Sequence, residues 1–168
     1  MNHVGPSSMD AEQAQTLLER LIGEVIERPH GRAALRSMEP AQVEADYARA
    51  WALLSAGDLS AATDAFGELA RRVPDQHRIQ LGFALCLQHH GLVEDALRHY
   101  GLAFVLDPSS ATCAFRIGEC LWVRGDHSDA REAMLTAIEL GSIQDHDSQI
   151  IALAQASLDE WASAAPRT

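Results

Sequence analysis

The fold of this chain is decided by residues 84–100, ALCLQHHGLVEDALRHY, in which Ala84, Gly91, Ala96 and Tyr100 hold fixed places. The same order of small, glycine, small and bulky residues returns 34 positions earlier and 34 positions later. Such regular spacing predicts a structural repeat, because chance does not preserve several positions at one interval. The corresponding residues are Ala50, Gly57, Ala62 and Phe66 before the stretch, and Gly118, Gly125, Ala130 and Met134 after it.

The length of the period indicates what each unit is. A period of 34 residues, with Pro74 and Pro108 closing the first two units, is typical of tetratricopeptide repeats, in which each unit is a helix-turn-helix. The units are predicted at about residues 43–76, 77–110 and 111–144. Since one unit cannot bury its apolar face alone, the units must stack. The predicted fold is an all-α solenoid whose concave surface suits an extended peptide, which indicates binding and not chemistry.

A helix is predicted on the N-terminal side of the repeats, over residues 11–28, after a disordered stretch at residues 1–10. Its apolar residues recur at spacings of three and four and form one broad stripe. Either the first repeat covers this stripe, or a second copy of the chain does so in a homodimer. The residues of the stripe are Leu17, Leu18, Leu21, Ile22, Val25 and Ile26.

A capping helix is predicted at about residues 146–164, which completes a single domain over residues 11–164. Ile150, Ala154, Leu158 and Trp161 give this helix an apolar stripe. A terminal element of a solenoid also needs a polar side, which is supplied here by Gln155, Asp159 and Glu160.

Composition excludes several classes of partner. The net charge is -11, and none of the thirteen basic residues is a lysine. Such a chain repels nucleic acid and anionic membranes. Residues 1–12 contain neither a basic region nor an apolar run, so we expect no signal peptide, no membrane anchor and a cytoplasmic location. The cysteines, Cys86, Cys113 and Cys120, are odd in number and lack metal-type spacing, so we expect buried free thiols.

The predicted ligand-binding surface comes from positions two, five, nine and twelve of each first helix, which lie about 130° around the helix from the packing side. We call these residues the groove face. Most are aromatic or aliphatic, so we expect the ligand to insert apolar side chains while Arg78, Gln88 and Glu119 bond its backbone. The groove face comprises Glu44, Tyr47, Trp51 and Leu54 in repeat one, Arg78, Leu81, Leu85 and Gln88 in repeat two, and Thr112, Phe115, Glu119 and Trp122 in repeat three.

The aromatic residues of the groove face allow a second interpretation. Tyr47, Trp51, Phe115 and Trp122 could instead be core residues, packed between repeats or under the N-terminal helix. Against this, the packing positions are already filled by other apolar residues, and a second apolar patch typically marks an interaction site.

No catalytic, cofactor-binding or metal site is predicted. His89, His90 and His99 share one helical hairpin, but no carboxylate stands at a spacing that completes a metal site or a catalytic pair. The run Asp145-His146-Asp147 stands at a predicted helix start, where it suits helix capping. A phosphate-binding glycine loop and a nucleophile motif are both missing from the sequence. The chain is therefore not expected to be an enzyme.

Over nearly its whole length the sequence resembles the class II chaperones of bacterial type III secretion. The resemblance is carried by Gly31-Arg32-Ala33-Ala34-Leu35, by Tyr47 and Trp51, by Arg78 with Leu81-Gly82 and Cys86, by Gly91 with Ala96 and Tyr100, and by Phe115 with Gly118-Glu119-Cys120-Leu121. It implies a cytoplasmic homodimer, formed through the N-terminal helix, that holds a short extended segment of two hydrophobic translocator subunits before export. Some members of the family also act with a transcriptional regulator.

A general repeat scaffold is the alternative function. It would have the same fold and groove, but it would bind folded partners and tolerate loss of the groove aromatics. The two functions differ in their ligand, and the sequence does not name that ligand.

Overall fold

The computed structural model describes residues 38–143 and 148–164, which belong to one compact unit, Ala34–Thr168. The predicted helix at residues 11–28, with its stripe from Leu17 to Ile26, lies outside the described residues. So do the predicted tail at residues 1–10 and the Asp145–Asp147 run. Within the described residues there are seven α-helices and no strands: α1 Pro40–Ser55, α2 Leu59–Arg72, α3 His77–His89, α4 Val93–Leu106, α5 Ala111–Arg124, α6 His127–Ile143 and α7 Ser148–Ala164.

The helices pair as the 34-residue period predicts. The pairs α1–α2, α3–α4 and α5–α6 correspond to the three predicted repeats, although α1 begins at Pro40, before the predicted start of repeat one, and α7 follows them as the C-terminal capping helix. The predicted all-α solenoid of three tetratricopeptide repeats is therefore confirmed. None of the described helices has the length and apolar character needed to cross a membrane.

Small residues bring the two helices of each repeat together. Ala50 and Ala84, on the first helices, are completely buried. Gly118 takes the same position in repeat three, and an added Cβ there would lie 3.2 Å from the carbonyl oxygen of Ala130. A larger side chain at this position would force the two helices apart, because the ridges of one helix pack into the grooves of the other. The bulky residues beside this crossing, Phe66, Tyr100 and Met134, are also completely buried.

Local signals begin and end the helices. The Asp58 carboxylate accepts a hydrogen bond from the Ala61 amide at 3.1 Å and caps α2. The turns between paired helices use a left-handed backbone, with φ of 81° at Gly57, 74° at Gly91 and 99° at Gly125. Glycine adopts this conformation without the steric cost that a Cβ brings, so the periodic glycines are explained by the turn geometry.

All three cysteines are free and buried, as expected. Burial raises the pKa of the Cys86 thiol, raises that of Cys113 to about 11 and raises that of Cys120 to about 12. The raised pKa keeps these thiols protonated at neutral pH. Because a thiol reacts as its thiolate, the three groups are unreactive as well as shielded. Their role in the described structure is helix packing.

The cysteine environment gives a direct test of the packing. We expect none of the three thiols to react with a thiol-specific dye at pH 8 in the native protein, and all three to react after unfolding in denaturant, because burial both shields them and raises their pKa. Counting reactive thiols against time measures this. Rapid labelling of any one thiol in native protein would contradict the packing described here.

Two glycine substitutions separate turn geometry from helix propensity. Among the described residues, neither Gly91, in a turn, nor Gly101, inside α4, has a neighbouring atom from another part of the chain within 4 Å of the position that a Cβ would take. Gly91→Ala is expected to lower the free energy of unfolding by about 1 kcal/mol, because its φ is positive. Gly101→Ala, the matched control, is expected to raise it by up to about 1 kcal/mol through helix propensity. Equal effects of the two changes in urea denaturation would show that turn conformation does not explain Gly91.

Candidate peptide-binding groove

An ion pair joins the first helices of repeats one and two at one end of the groove face. Arg78 Nη1 donates to Glu44 Oε2 at 2.8 Å, and Arg78 Nη2 donates to the other carboxylate oxygen. The Arg78 side chain also donates to Gln76 Oε1 at 3.3 Å. Its guanidinium carbon lies 4.6 Å from the centre of the Tyr47 ring, within reach of a cation–π interaction. Arg78 therefore connects two repeats and covers one side of Tyr47.

The electrostatics of this pair follow from the contact. The hydrogen bond from Arg78 holds the pKa of the Glu44 carboxyl below its usual value, and the same bond raises the pKa of Arg78. Both side chains are well exposed, at 36% for Arg78 and 61% for Glu44, so solvent screens their attraction. The pair therefore orients its neighbours more than it stabilises the fold.

Three aromatic rings form a cluster beside the ion pair. Tyr47 and Trp51 are half-buried and pack against the fully buried Phe66. The ring centres are 6.3 Å apart for Tyr47 and Trp51, 6.0 Å for Tyr47 and Phe66, and 5.7 Å for Trp51 and Phe66. All three pairs meet edge to face, the arrangement favoured by the ring quadrupoles. Tyr47 and Trp51 thus rest on the core and also keep part of each ring accessible.

The middle of the groove face is aliphatic. Leu54 on α1 is half-buried and contacts the same core as the aromatic cluster. Leu81 and Leu85 on α3 are also half-buried, and they lie along that helix between Arg78 and Gln88. The described surface of α1 and α3 therefore presents apolar side chains that keep partial contact with solvent, with polar groups on either side.

A hydrogen-bonded chain joins repeats two and three at the other end. The Tyr100 hydroxyl donates to Gln88 Oε1 at 2.6 Å, and Gln88 Nε2 donates to Glu119 Oε2 at 3.0 Å. Arg116 Nη1 donates to the same carboxylate oxygen at 2.8 Å. Burial raises the pKa of Tyr100, so its hydroxyl remains protonated and available as a donor. The sequence predicted Gln88 and Glu119 as groove residues, but it did not predict their hydrogen bonds to Tyr100 and Arg116.

The predicted ligand contacts of Arg78, Gln88 and Glu119 are engaged inside the chain. Each makes at least one hydrogen bond to another repeat, as described above. Their residue types alone did not reveal this, although the 34-residue separation of Glu44 and Arg78 was a signal, since it places opposite charges at the same position of successive repeats.

The groove-face residues of α5 differ in burial. Phe115 is only 3% exposed, so it is a core residue and not an open groove residue. The reason lies in α5, where most residues are buried because neighbouring helices enclose this helix. Thr112, which lies about one turn earlier on α5 and also belongs to the groove face, is half-buried.

Trp122 packs against the C-terminal helix. Its ring stacks on Trp161 with centres 4.1 Å apart and planes 2° apart, and Arg131 donates to the Trp161 carbonyl at 3.2 Å. Trp161 is 7% exposed, whereas Gln155, Asp159 and Glu160 face solvent as predicted. Trp122 therefore attaches α7 to repeat three, a role that sequence reasoning did not assign to it.

Two histidines of the α3–α4 hairpin have structural contacts. His99 Nδ1 lies 2.8 Å from Oε1 of the buried Gln80, and His90 Nε2 lies 3.0 Å from the Thr63 hydroxyl. In the part of the chain that the structure describes, no group of three or more His, Cys, Asp or Glu side chains is placed to hold a metal ion.

The stacked tryptophans predict how α7 is attached. Trp161→Ala removes the stacking partner of Trp122 and leaves a cavity, so we expect the free energy of unfolding to fall by about 3 kcal/mol. Leu153→Ala is the matched control on the same helix, because Leu153 is 42% exposed; its effect should stay within about 0.5 kcal/mol. Urea denaturation followed by tryptophan fluorescence measures both. Similar small effects of the two variants would mean that the stack does not hold α7.

Known proteins support the architecture. A family model described as tetratricopeptide repeat matches residues 47–111 and 90–142, which together span more than half of the chain. Among curated protein sequences, none matches significantly.

Solved structures extend the comparison. The chain is similar to PcrH from Pseudomonas aeruginosa, with 28% identity, 76% of this chain and 97% of that chain covered, and a TM-score of 0.71. PcrH in complex with the chaperone binding region of PopD gives 27% identity, coverage of 77% and 97%, and a TM-score of 0.73. In fold, the chain is also similar to the type III secretion translocator chaperone SycD of Yersinia enterocolitica, with 23% identity, coverage of 76% and 88%, and a TM-score of 0.70. The repeat pattern, the helix pairs and the matching family model agree that the chain belongs to the tetratricopeptide repeat family.

Proposed function

We propose that this chain is a cytoplasmic chaperone of type III secretion, which holds an extended segment of a hydrophobic translocator subunit across its groove face. The observation that carries the proposal is the half-buried apolar surface of α1 and α3, made by Tyr47, Trp51, Leu54, Leu81 and Leu85. An apolar surface of this kind, bordered by polar groups, is typical of an interaction site. The chain is not proposed to catalyse a reaction.

The similar structures support this choice of ligand. PcrH has been crystallised with the chaperone binding regions of PopB and of PopD. SycD, a likeness of fold at 21% identity, has been crystallised with a peptide of the translocator YopD. PcrH is thus seen with two different partners, and we propose that this chain likewise binds two different translocator subunits. A further SycD structure is described as an alternative dimer, which supports the proposal that this chain forms a homodimer.

The physical role follows from the cargo. A translocator subunit must later enter a membrane, so its apolar segments would aggregate in water unless a partner covers them. Tyr47 and Trp51 supply large contact areas that the core already holds in place, so little ordering of the chaperone is needed. The flexible cargo segment must still be ordered, which limits the affinity to a reversible range.

Co-expression tests the function. The chain is produced with a translocator subunit encoded beside its gene, and we expect the translocator to become soluble and to co-purify. Trp51→Ala should weaken the binding of the translocator by about 2 kcal/mol, or about 30-fold in Kd, because it removes an aromatic anchor. Titration of the purified proteins measures this loss, with Leu135→Ala, 59% exposed on α6 and outside the groove face, as the matched control.

Trp51 also contacts Phe66, so a second variant keeps the test decisive. Leu85→Ala truncates a half-buried groove side chain and should also weaken binding, while circular dichroism confirms that each variant folds. A translocator that remains insoluble beside the well-folded chain would contradict the proposal. Binding of a folded partner that is unaffected by Trp51→Ala and Leu85→Ala would instead indicate a general repeat scaffold.

A further inference from the structure

The junction of α3 and α5 holds a hydrogen-bond donor and an acceptor side by side. Gln88 uses one amide N–H on Glu119, and its second N–H has no partner within the described residues. Glu119 uses Oε2 for its bonds from Gln88 and Arg116, and its Oε1 likewise has no partner in the described part of the chain. We propose that Gln88 and Glu119 bind the main chain of the bound segment, Gln88 donating to a peptide carbonyl and Glu119 accepting from a peptide N–H. This inference rests on the proposed function and names the contact that the same site makes.

The orientation of the Gln88 amide is fixed from both sides. If the amide were turned over, its oxygen would lie 3.0 Å from Glu119 Oε2, and two acceptors would face each other. The carboxylate therefore requires the Gln88 nitrogen on its side, and the Gln88 oxygen must face Tyr100. There it accepts from the Tyr100 hydroxyl at 2.6 Å. Because Tyr100 is completely buried, its hydroxyl has a fixed position and holds the amide in this orientation.

Glu119 is held in the same way. Its ion pair with Arg116 fixes Oε2, and both side chains are about two-thirds buried, at 30% exposed for Glu119 and 33% for Arg116. The Arg116 guanidinium carbon also lies 5.5 Å from the centre of the buried Phe115 ring, which limits its motion. Hydrogen bonds to an ionised group are stronger than neutral ones, so a preorganised Glu119 is a good acceptor for a peptide N–H.

This pair selects a class of ligand. In an extended chain the N–H and C=O of one residue point to the same edge, so a neighbouring donor and acceptor match one residue of an extended backbone. A terminal carboxylate offers only acceptors, and the charge of Glu119 repels it. The geometry therefore fits an internal extended segment and tolerates different side chains at this contact. Choice among side chains is left to the apolar surface around Tyr47 and Trp51.

The test uses a synthetic peptide of the translocator segment that limited proteolysis leaves protected in the purified complex. Analogues replace one peptide bond at a time by an ester, which removes an N–H donor and weakens the preceding carbonyl as an acceptor. With the wild-type chain we expect one or two adjacent ester positions to weaken binding about five- to tenfold. Gln88→Met, which removes the donor and keeps the length of the side chain, should weaken the parent peptide and abolish the ester penalty at the carbonyl position.

Control variants isolate the contact. Gln155→Met, on the exposed side of α7, should leave both the affinity and the ester penalties unchanged. Tyr100→Phe should weaken the parent peptide, and it should have no further effect in the Gln88→Met background if Tyr100 acts only by orienting Gln88. An effect of Tyr100→Phe that is equally large in both backgrounds would assign Tyr100 to core packing alone.

The outcomes separate the two proposals. An ester penalty at the carbonyl position that persists unchanged in Gln88→Met would overturn the main-chain contact and leave the chaperone function intact. Wild-type binding without any ester penalty would do the same. A peptide that fails to bind the wild-type chain at all would overturn both proposals.

Discussion

The structure depends on the close approach of paired helices at side chains no larger than a methyl group. The crossing positions hold completely buried alanines in repeats one and two, and Gly118 faces Ala130 in repeat three, where an added Cβ would already crowd the partner backbone. Each pair then buries one large side chain next to the crossing. Because the same crossing recurs every 34 residues, each pair has nearly the same shape and can stack on the next one.

This regularity also produces the groove face. Stacking places successive first helices side by side, so Glu44 meets Arg78 at the same repeat position across one boundary, and Gln88 meets Glu119 at a different repeat position across the next. The two polar contacts lie at opposite ends of α3, and the half-buried leucines of that helix lie between them. The surface proposed to hold cargo is thus also the surface that connects the repeats. Cargo that spans it would contact several repeats at once.

The sequence predicted the parts of this arrangement that are periodic. Helix pairs, left-handed turns and buried small residues each follow from one position repeated along the chain, and the structure confirms them. What the sequence did not reveal depends on contacts between residues that are not related by the repeat. Phe115 and Tyr47 share one repeat position, yet only Phe115 is fully buried, because its helix is more enclosed. Trp122 is covered by Trp161 from a helix outside the period. The hydrogen bond from Tyr100 to Gln88 likewise depends on side-chain geometry that spacing does not encode.

A crystal structure of the chain with the protected translocator segment tests the central claim most directly. The account predicts a single extended segment crossing α1, α3 and α5, with apolar side chains against Tyr47 and Trp51 and main-chain hydrogen bonds to Gln88 and Glu119. A segment bound to the outer surfaces of α2, α4 and α6, or a folded partner that leaves Tyr47 and Trp51 in contact with solvent, would contradict it.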